Sequence, residues 1–234
     1  MPSTIVIGHL HAADKEARQK LLDALSRVMS YSQANEPGVI KFCLCFPLPE
    51  EDDGKSLFAI EDAKVEIPIP RYADQPAFDA HMSSLAVAEL IKTFTAQPDL
   101  FSAETNVYVL PCGPGFTRPR IAQLDDPALV FASYGYRSGT MYAAISGAGG
   151  WTDLISDSET KQDGMLMYAV LPDEKAGMIR TVEAYESWQY LQHERVKSPA
   201  AKANQERNAG MGTGEKEVWR LRRVMGYLFK EGKA

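Results

Sequence analysis

The sequence repeats one order of predicted elements. Residues 5–110 and 129–229 each read as strand, helix, two strands, helix and strand. A duplication of this length constrains the fold more than any single motif, because each copy must form a supersecondary unit of its own. The pattern predicts an α+β fold built from two ferredoxin-like βαββαβ units with antiparallel sheets.

Each predicted sheet carries helices on one face, so its other face needs a partner. A chain with two copies can supply that partner itself, and we expect the two sheets to close face to face within one molecule. The predicted boundaries are 1–110 for the first unit, 111–128 for a linker rich in glycine and proline, and 129–234 for the second unit.

Composition argues against several classes of protein. The net charge is −6, and the 25 lysines and arginines are scattered, so no basic face is predicted for nucleic acid. No run of about 18 apolar residues predicts a membrane span, and the start at Met1 lacks a secretory signal pattern. No glycine-rich loop lies between a predicted strand and a helix, as a phosphate-binding loop requires, and the sequence has no Gly-x-Ser-x-Gly elbow. A soluble cytoplasmic protein without a membrane partner is predicted.

The cysteines predict no disulfide framework, because the chain has only three of them. Cys43 and Cys45 alternate with Leu44 and so lie on one face of a predicted strand. We expect both thiols to be reduced and buried.

Two segments interrupt the repeat. Residues 63–71 contain the run Ile67-Pro68-Ile69-Pro70, which cannot be helical, and form either an arm over a pocket or an ordinary surface insertion. Residues 147–150, Gly-Ala-Gly-Gly, interrupt a helix predicted around 141–156. They predict either room for a ligand beside Trp151 or a simple kink. The second helix of the first half is predicted to begin at Asp74, and the second helix of the second half is predicted to run over 187–208.

The junction between third strand and second helix carries the most specific local sequence. In the second half it reads Val182-Glu183-Ala184-Tyr185-Glu186-Ser187, followed by His193 and Lys197-Ser198-Pro199-Ala200. The corresponding segments of the first half are residues 58–61, Tyr72-Ala73-Asp74 and residues 78–84. This resembles the antibiotic biosynthesis monooxygenase family of the dimeric α+β barrel superfamily. The resemblance implies a tandem form, fused into an intramolecular α+β barrel.

The resemblance also implies a chemistry. Known members oxidise phenols or anthrones to quinones with molecular oxygen and no cofactor, because a deprotonated phenol is itself the reductant and the protein supplies electrostatics and shielding. An aromatic or polyketide-like small molecule and oxygen would then be the partners. The superfamily also includes isomerases, lyases, haem-degrading proteins and copies with no demonstrated reaction.

Residue by residue, the match is incomplete. Quinone-forming members place Trp, Asn and Arg at positions that hold Tyr185, Thr181 and a residue near Gln205 in the second half. In the first half the aromatic residue is Tyr72. The insertion at residues 63–71 shifts the alignment there, so no residue of the first half can be matched to the Asn. Neither half keeps the full set.

Histidines are candidate bases. His81 and His193 occupy similar places in the two second helices, where either could accept a phenolic proton or could simply be structural. His9 and His11 share a strand face, and with Glu61 they have the composition of a two-His, one-carboxylate iron site. A metal-free protein is the preferred interpretation.

Aromatic residues concentrate in the second half: Tyr134, Tyr136, Tyr142, Trp151, Tyr185, Trp188 and Tyr190. They predict either the walls of a pocket for a polycyclic phenol or a packed core. We expect the functional cavity there. The predicted catalytic residues are His193, Tyr185, His81 and Tyr72, and the predicted substrate-binding residues are Tyr134, Tyr136, Trp151, Thr181, Trp188 and Gln205.

The sequence therefore predicts a cofactor-independent monooxygenase or a related pocket enzyme. The alternative is a non-catalytic small-molecule-binding or scaffold protein that keeps the barrel. Two chains could associate further as a homodimer through exposed strand edges.

Overall fold

The computed structural model describes residues 3–63 and 75–230. Tyr72, Asp74 and all of the predicted arm except Ala63 lie outside the described residues. The chain folds as two compact units, the first formed by Met1–Pro111 with Arg222–Ala234 and the second by Cys112–Leu221.

The first unit has the predicted order of elements. They are β1 (Thr4–His11), α1 (Lys15–Asn35), β2 (Val39–Pro47), β3 (Ser56–Ala63), α2 (Gln75–Met82), α3 (Leu85–Ala96) and β4 (Asn106–Pro111). The strands are antiparallel in the order β4-β1-β3-β2, which is the ferredoxin-like order. The prediction of a βαββαβ unit is confirmed here, with its second helix divided in two.

Helix α1 forms because its apolar residues recur at helical spacing and Asp14 caps its start. The Asp14 carboxylate accepts a hydrogen bond from the Ala17 amide, and Leu21, Leu25 and Val28 are buried against the sheet. Full burial of one such side chain stabilises the fold by about 1.5–3 kcal/mol. Helix α1 therefore covers one face of the first sheet.

The second unit repeats this plan with additions. Its elements are β5 (Gly115–Thr117), β6 (Ala128–Tyr136), α4 (Met141–Ser146), α5 (Trp151–Lys161), β7 (Met165–Asp173), β8 (Met178–Tyr185), α6 (Trp188–His193), α7 (Pro199–Ala209) and β9 (Gly212–Tyr227). The antiparallel order is β9-β6-β8-β7, with β5 added beside β7.

The unit boundaries differ from the predicted ones at two places. The predicted linker carries β5 and the 3-10 helix Pro119–Gln123, and from Cys112 onward it belongs to the second unit. Strand β9 supplies residues to both units, because the chain from Arg222 onward belongs to the first. The spacing of apolar residues alone could not assign one continuous strand to two units.

Two glycines of the 147–150 break have a structural reason. Gly147 leaves room for the guanidinium of Arg207, whose Nη2 donates a hydrogen bond to the Ala143 carbonyl at 3.0 Å. Gly149 has φ of 72°, a conformation that glycine adopts without strain. The Arg207 side chain therefore occupies the space beside Gly147, and the predicted helix is broken here into α4 and α5.

The prediction of one continuous helix over 187–208 is wrong. The helix ends at His193, passes through the 3-10 turn Arg195–Lys197 and starts again as α7. The Ser198 hydroxyl accepts a hydrogen bond from the Ala201 amide, and Pro199 is the first residue of α7. Serine followed by proline is a strong helix-start signal, which explains the new helix.

Two further observations concern the described residues. Cys43 and Cys45 are buried on one face of β2 as predicted, with their Sγ atoms 3.8 Å apart. Among these residues no helix combines the length and apolar character that crossing a membrane requires.

Candidate functional site

The duplication places one buried carboxylate at the same register position in each unit. Glu61 of β3 pairs with Val6 of β1, and Glu183 of β8 pairs with Val130 of β6. Each glutamate is 6% exposed. Burial of a carboxylate is costly unless it is paired or hydrogen-bonded, so the neighbours of each define what it can do.

In the first unit, His81 lies between two carboxylates. Its Nδ1 is 2.8 Å from Glu36 Oε2, and its Nε2 is 3.3 Å from Glu61 Oε2. The Ser32 hydroxyl lies 3.4 Å from Nδ1. Helix α2 ends next to His81 because Ser84 caps the start of α3, and the imidazole is buried there. Glu36, His81 and Glu61 form a carboxylate–imidazole–carboxylate cluster, which we call the first-unit cluster.

Glu61 is the member of this cluster with unusual electrostatics. Burial raises its pKa to about 7; the His81 charge lowers it, whereas Glu36 and Asp62 raise it further. No donor among the described residues reaches the buried Oε1 atom of Glu61. A buried acceptor without a partner is uncommon in proteins, and each one needs a structural or functional explanation.

Aromatic side chains border the first-unit cluster. The Phe42 ring meets the His81 imidazole edge-on with centroids 6.3 Å apart. The Tyr227 hydroxyl donates to the Val39 carbonyl at 3.3 Å. Burial raises the pKa of Tyr227, and the charges of Glu61 and Glu36 add to this effect, so its hydroxyl stays protonated.

In the second unit, both oxygens of Glu183 are occupied. The Thr181 hydroxyl donates to Oε1 at 2.7 Å, and the Tyr185 hydroxyl donates to Oε2. The buried Arg195 guanidinium lies 5.6 Å from the centroid of the Tyr168 ring. Burial, strengthened by the Glu183 charge, raises the pKa of Tyr185 and Tyr168 well above the usual value. Both hydroxyls are therefore fixed as neutral groups.

Arg195 is the second-unit counterpart of His81. His81 precedes Ser84, the cap of α3, by the same three positions that separate Arg195 from Ser198, the cap of α7. The order of predicted elements pairs His81 with His193 instead, and His193 is exposed at the end of α6. Counting back from the two capping serines would have found Arg195.

Several predicted residues do come together in the second unit. The Trp151 Nε1 donates to the Tyr136 hydroxyl at 2.9 Å, and the Trp151 ring lies 5.6 Å from that of Tyr134. Thr181 and Tyr185 both contact Glu183. The aromatic side chains belong to one packed core around Leu154 and Ile155, together with Tyr168.

Other predicted residues lie apart from this core. Gln205 is exposed on α7, where its neighbour Asn204 is the buried residue. Trp188 is half-buried at the start of α6, and Tyr142 is 82% exposed. The helical register, which no motif in the sequence reveals, turns Gln205 outward.

Two clefts lie between helices, away from both carboxylates. One of about 260 Å³ separates α1 from α3 and is lined by Tyr31, Leu85 and Leu90 among others. The other, of about 520 Å³, separates α5 from α7. Neither is lined by Glu61, His81 or Glu183. The aromatic side chains of the second unit pack into its own hydrophobic core.

The iron-site alternative from His9, His11 and Glu61 is wrong. His9 pairs with Phe58 and His11 with Ser56, whereas Glu61 lies three positions beyond Phe58 along β3 and so points to the opposite face of the sheet. Within residues 3–63 and 75–230 no group of three His, Cys, Asp or Glu side chains could hold a metal ion.

His9 gives a prediction about stability. Burial lowers its pKa to about 4 from the usual 6.5, with His11 adding to the effect and Asp53 opposing it. The unfolded chain therefore binds a proton between pH 6.5 and 4 that the folded chain does not, and stability falls as pH falls through this window. We expect His9 to account for a loss of about 1–3 kcal/mol in the free energy of unfolding between pH 7 and 4.

Urea unfolding at several pH values tests this expectation. The loss should shrink in His9→Gln and persist in the matched control His193→Gln, whose imidazole is exposed. An unchanged pH dependence in His9→Gln would contradict it.

Three solved structures share the fold over nearly the whole chain. A "putative monooxygenase" from Lactobacillus acidophilus NCFM has a TM-score of 0.74 and 14% identity, covering 97% of this chain and 96% of its own. A protein described in the same words from Fusobacterium nucleatum subsp. nucleatum ATCC 25586 has a TM-score of 0.73 and 17% identity, covering 99% and 95%. An "anthrone oxidase-like protein" has a TM-score of 0.61 and 12% identity, covering 96% and 92%.

At these identities the likeness establishes the fold. The predicted resemblance to monooxygenases of this α+β fold is confirmed at that level, and the chain is a two-unit α+β protein with a monooxygenase-like fold. No protein-family model and no curated protein matches the sequence.

Proposed function

We propose that this protein is a cofactor-independent monooxygenase that acts on the acidic hydroxyl of an aromatic, polyketide-like small molecule. The observation that carries the proposal is the buried Oε1 atom of Glu61, an acceptor that no described donor reaches. The fold, shared with proteins described as monooxygenases, supports it.

The chemistry needs one base and a dry environment. Glu61 accepts the proton of a phenol or enol, and the resulting anion is rich enough in electrons to reduce molecular oxygen. For an anthrone, one oxygen atom becomes the new quinone carbonyl and the other leaves as water with the two hydrogens of the methylene carbon. The substrate supplies all the electrons, so the reaction needs no further reductant.

The first unit suits this role better than the second. A base with a pKa of about 7 exchanges protons readily near neutral pH, and Glu61 has that value together with a free acceptor atom. Both oxygens of Glu183 already accept hydrogen bonds from Thr181 and Tyr185. We therefore assign proton abstraction to Glu61 and His81, and a structural role to the Glu183 cluster.

Oxygen consumption tests the proposal. Chelator-treated protein would be mixed with a panel of anthrones and polyhydroxylated naphthalenes, and uptake recorded with an oxygen electrode. We expect uptake with at least one compound, and one labelled atom in the product under ¹⁸O₂. Absence of uptake across the panel, or uptake that disappears with removal of metal, would contradict it.

The second candidate function is a non-catalytic binding or scaffold protein. The specific observation in its favour is the second-unit interior, which Trp151, Tyr168 and Tyr185 already fill. Saturable binding of an anthrone by calorimetry without oxygen uptake would favour this candidate. The predicted further homodimer stays a prediction that sedimentation equilibrium would test.

A further inference from the structure

We propose that Glu36 is a positioning residue: by accepting a hydrogen bond from the Nδ1–H of the His81 imidazolium, it directs the Nε2–H at Oε2 of Glu61 and leaves Oε1 as the atom that receives the substrate proton. The inference rests on the proposed function, because it assigns a role within that proton transfer. It adds a residue that the sequence did not single out, located at the end of α1.

The two imidazole nitrogens have unequal partners. The Nδ1 contact to Glu36 is 2.8 Å, within the range of a charge-assisted hydrogen bond, whereas the Nε2 contact to Glu61 is 3.3 Å. In histidine the hydrogen bond made by one nitrogen determines what the other nitrogen can do. The shorter contact therefore commits Nδ1 to Glu36 as a donor.

The backbone of Glu36 is fixed on three sides. Its N–H donates to the Ser32 carbonyl at 3.0 Å, and its own carbonyl accepts from the Val39 amide and from Lys230 Nζ, each at 3.1 Å. Lys230 Nζ also donates to the Ser32 carbonyl at 3.2 Å. A carboxylate presented from an anchored helix end is held ready for its partner and loses little freedom when it binds.

The charges around the cluster come from several elements. Glu36 and Ser32 face His81 from α1, while Asp62 of β3 lies beside Glu61 and forms a buried ion pair with Lys41 of β2. Tyr227 and Lys230 approach from the C-terminal end of the chain. Glu36 has a side chain that is 14% exposed, against 5% for His81 and 8% for Glu61, so it is the member nearest to solvent.

The proton step balances without any change at Glu36. The substrate O–H bond breaks and an O–H bond forms at Glu61 Oε1, so the negative charge passes from the carboxylate to the substrate oxygen. In this step His81 is an imidazolium throughout: its Nδ1–H donates to Glu36 and its Nε2–H donates to Oε2 of Glu61, which keeps Oε2 occupied. Loss of Glu36 would free the imidazole to turn, and Oε1 would lose its place as the free acceptor.

Histidine ¹⁵N NMR on the full chain tests the positioning without reference to activity. The His81 signal is assigned by its loss in His81→Gln. We expect protons on both Nδ1 and Nε2 in the parent and in Glu36→Gln, whose amide oxygen can still accept the hydrogen bond from Nδ1, and a mixture of protonation forms in Glu36→Ala. The matched control is Glu16→Ala, an exposed glutamate on the same helix. A parent protein with the proton on Nε2 alone would overturn the inference.

Kinetics supply the second readout. We expect kcat to fall roughly tenfold or more in Glu36→Ala with little change in KM, and to recover largely in Glu36→Gln. Equal losses in both variants would contradict positioning. If the parent consumes no oxygen while the NMR result holds, the positioning by Glu36 stands and the proposed function fails. If the parent consumes oxygen but Nδ1 of His81 carries no proton, the proposed function stands and the positioning fails.

Discussion

Glu61→Gln is expected to lower kcat/KM for oxygen uptake by about 10²–10⁴-fold, the usual contribution of a positioned general base. The amide keeps the size of the side chain and can still contact His81, but it cannot accept the substrate proton. The variant should fold, because the raised pKa of Glu61 means that its ionisation opposes folding as pH rises through about 7. Above that pH, Glu61→Gln removes the unfavourable contribution of the ionised carboxylate to the free energy of folding.

The pH dependence makes this prediction sharper. Glu61 must be ionised to act, so the parent rate should rise with pH through an apparent pKa near 7, and this rise should be absent from the residual activity of Glu61→Gln. Glu16→Gln is the matched control, since it makes the same change at an exposed glutamate and should behave as the parent does. Retention of full activity by Glu61→Gln would remove the first unit from the mechanism.

Arg195→Met is expected to lower the free energy of unfolding by about 3 kcal/mol, because it leaves the buried Glu183 without a nearby cation. Although burial opposes its charge, Tyr168, Tyr185 and Glu183 raise the pKa of the Arg195 guanidinium. Loss of the guanidinium beside the Tyr168 ring adds a smaller cost.

Lys197→Met is the matched control for this experiment, since Lys197 lies in the same 3-10 turn and is more exposed than Arg195. Urea unfolding of both variants gives the comparison, and Glu183→Gln combined with Arg195→Met should cost less than the sum of the single changes. A loss in Arg195→Met no larger than in Lys197→Met would contradict a structural role for this cluster.

The two clusters show how a duplicated unit can diverge. The register position of Glu61 and Glu183 is shared, and so is the place of His81 and Arg195 before a capping serine. An imidazole beside a partly free carboxylate suits proton transfer. A guanidinium beside a carboxylate whose oxygens are both occupied suits structural stabilisation.

The sequence predicts the elements well because their signals are local. Apolar spacing locates α1 and the central strands, and the serine before Pro199 marks a helix start. It predicts the site less well. Sequence reasoning finds His81 as a candidate base but misses Glu36 and Arg195, since Glu36 and its partner His81 lie 45 residues apart in the chain.

By itself the sequence determined the repeat, the α+β class and most helix and strand positions, because neighbouring residues set periodicity and capping. The tertiary structure decided which face each strand residue occupies, which separated Glu61 from His9 and His11. It also decided that the chain beyond Arg222 joins the first unit, where Tyr227 and Lys230 meet the Glu36 region. Strand register and the pairing of distant residues depend on the whole folded chain, and no local pattern encodes them.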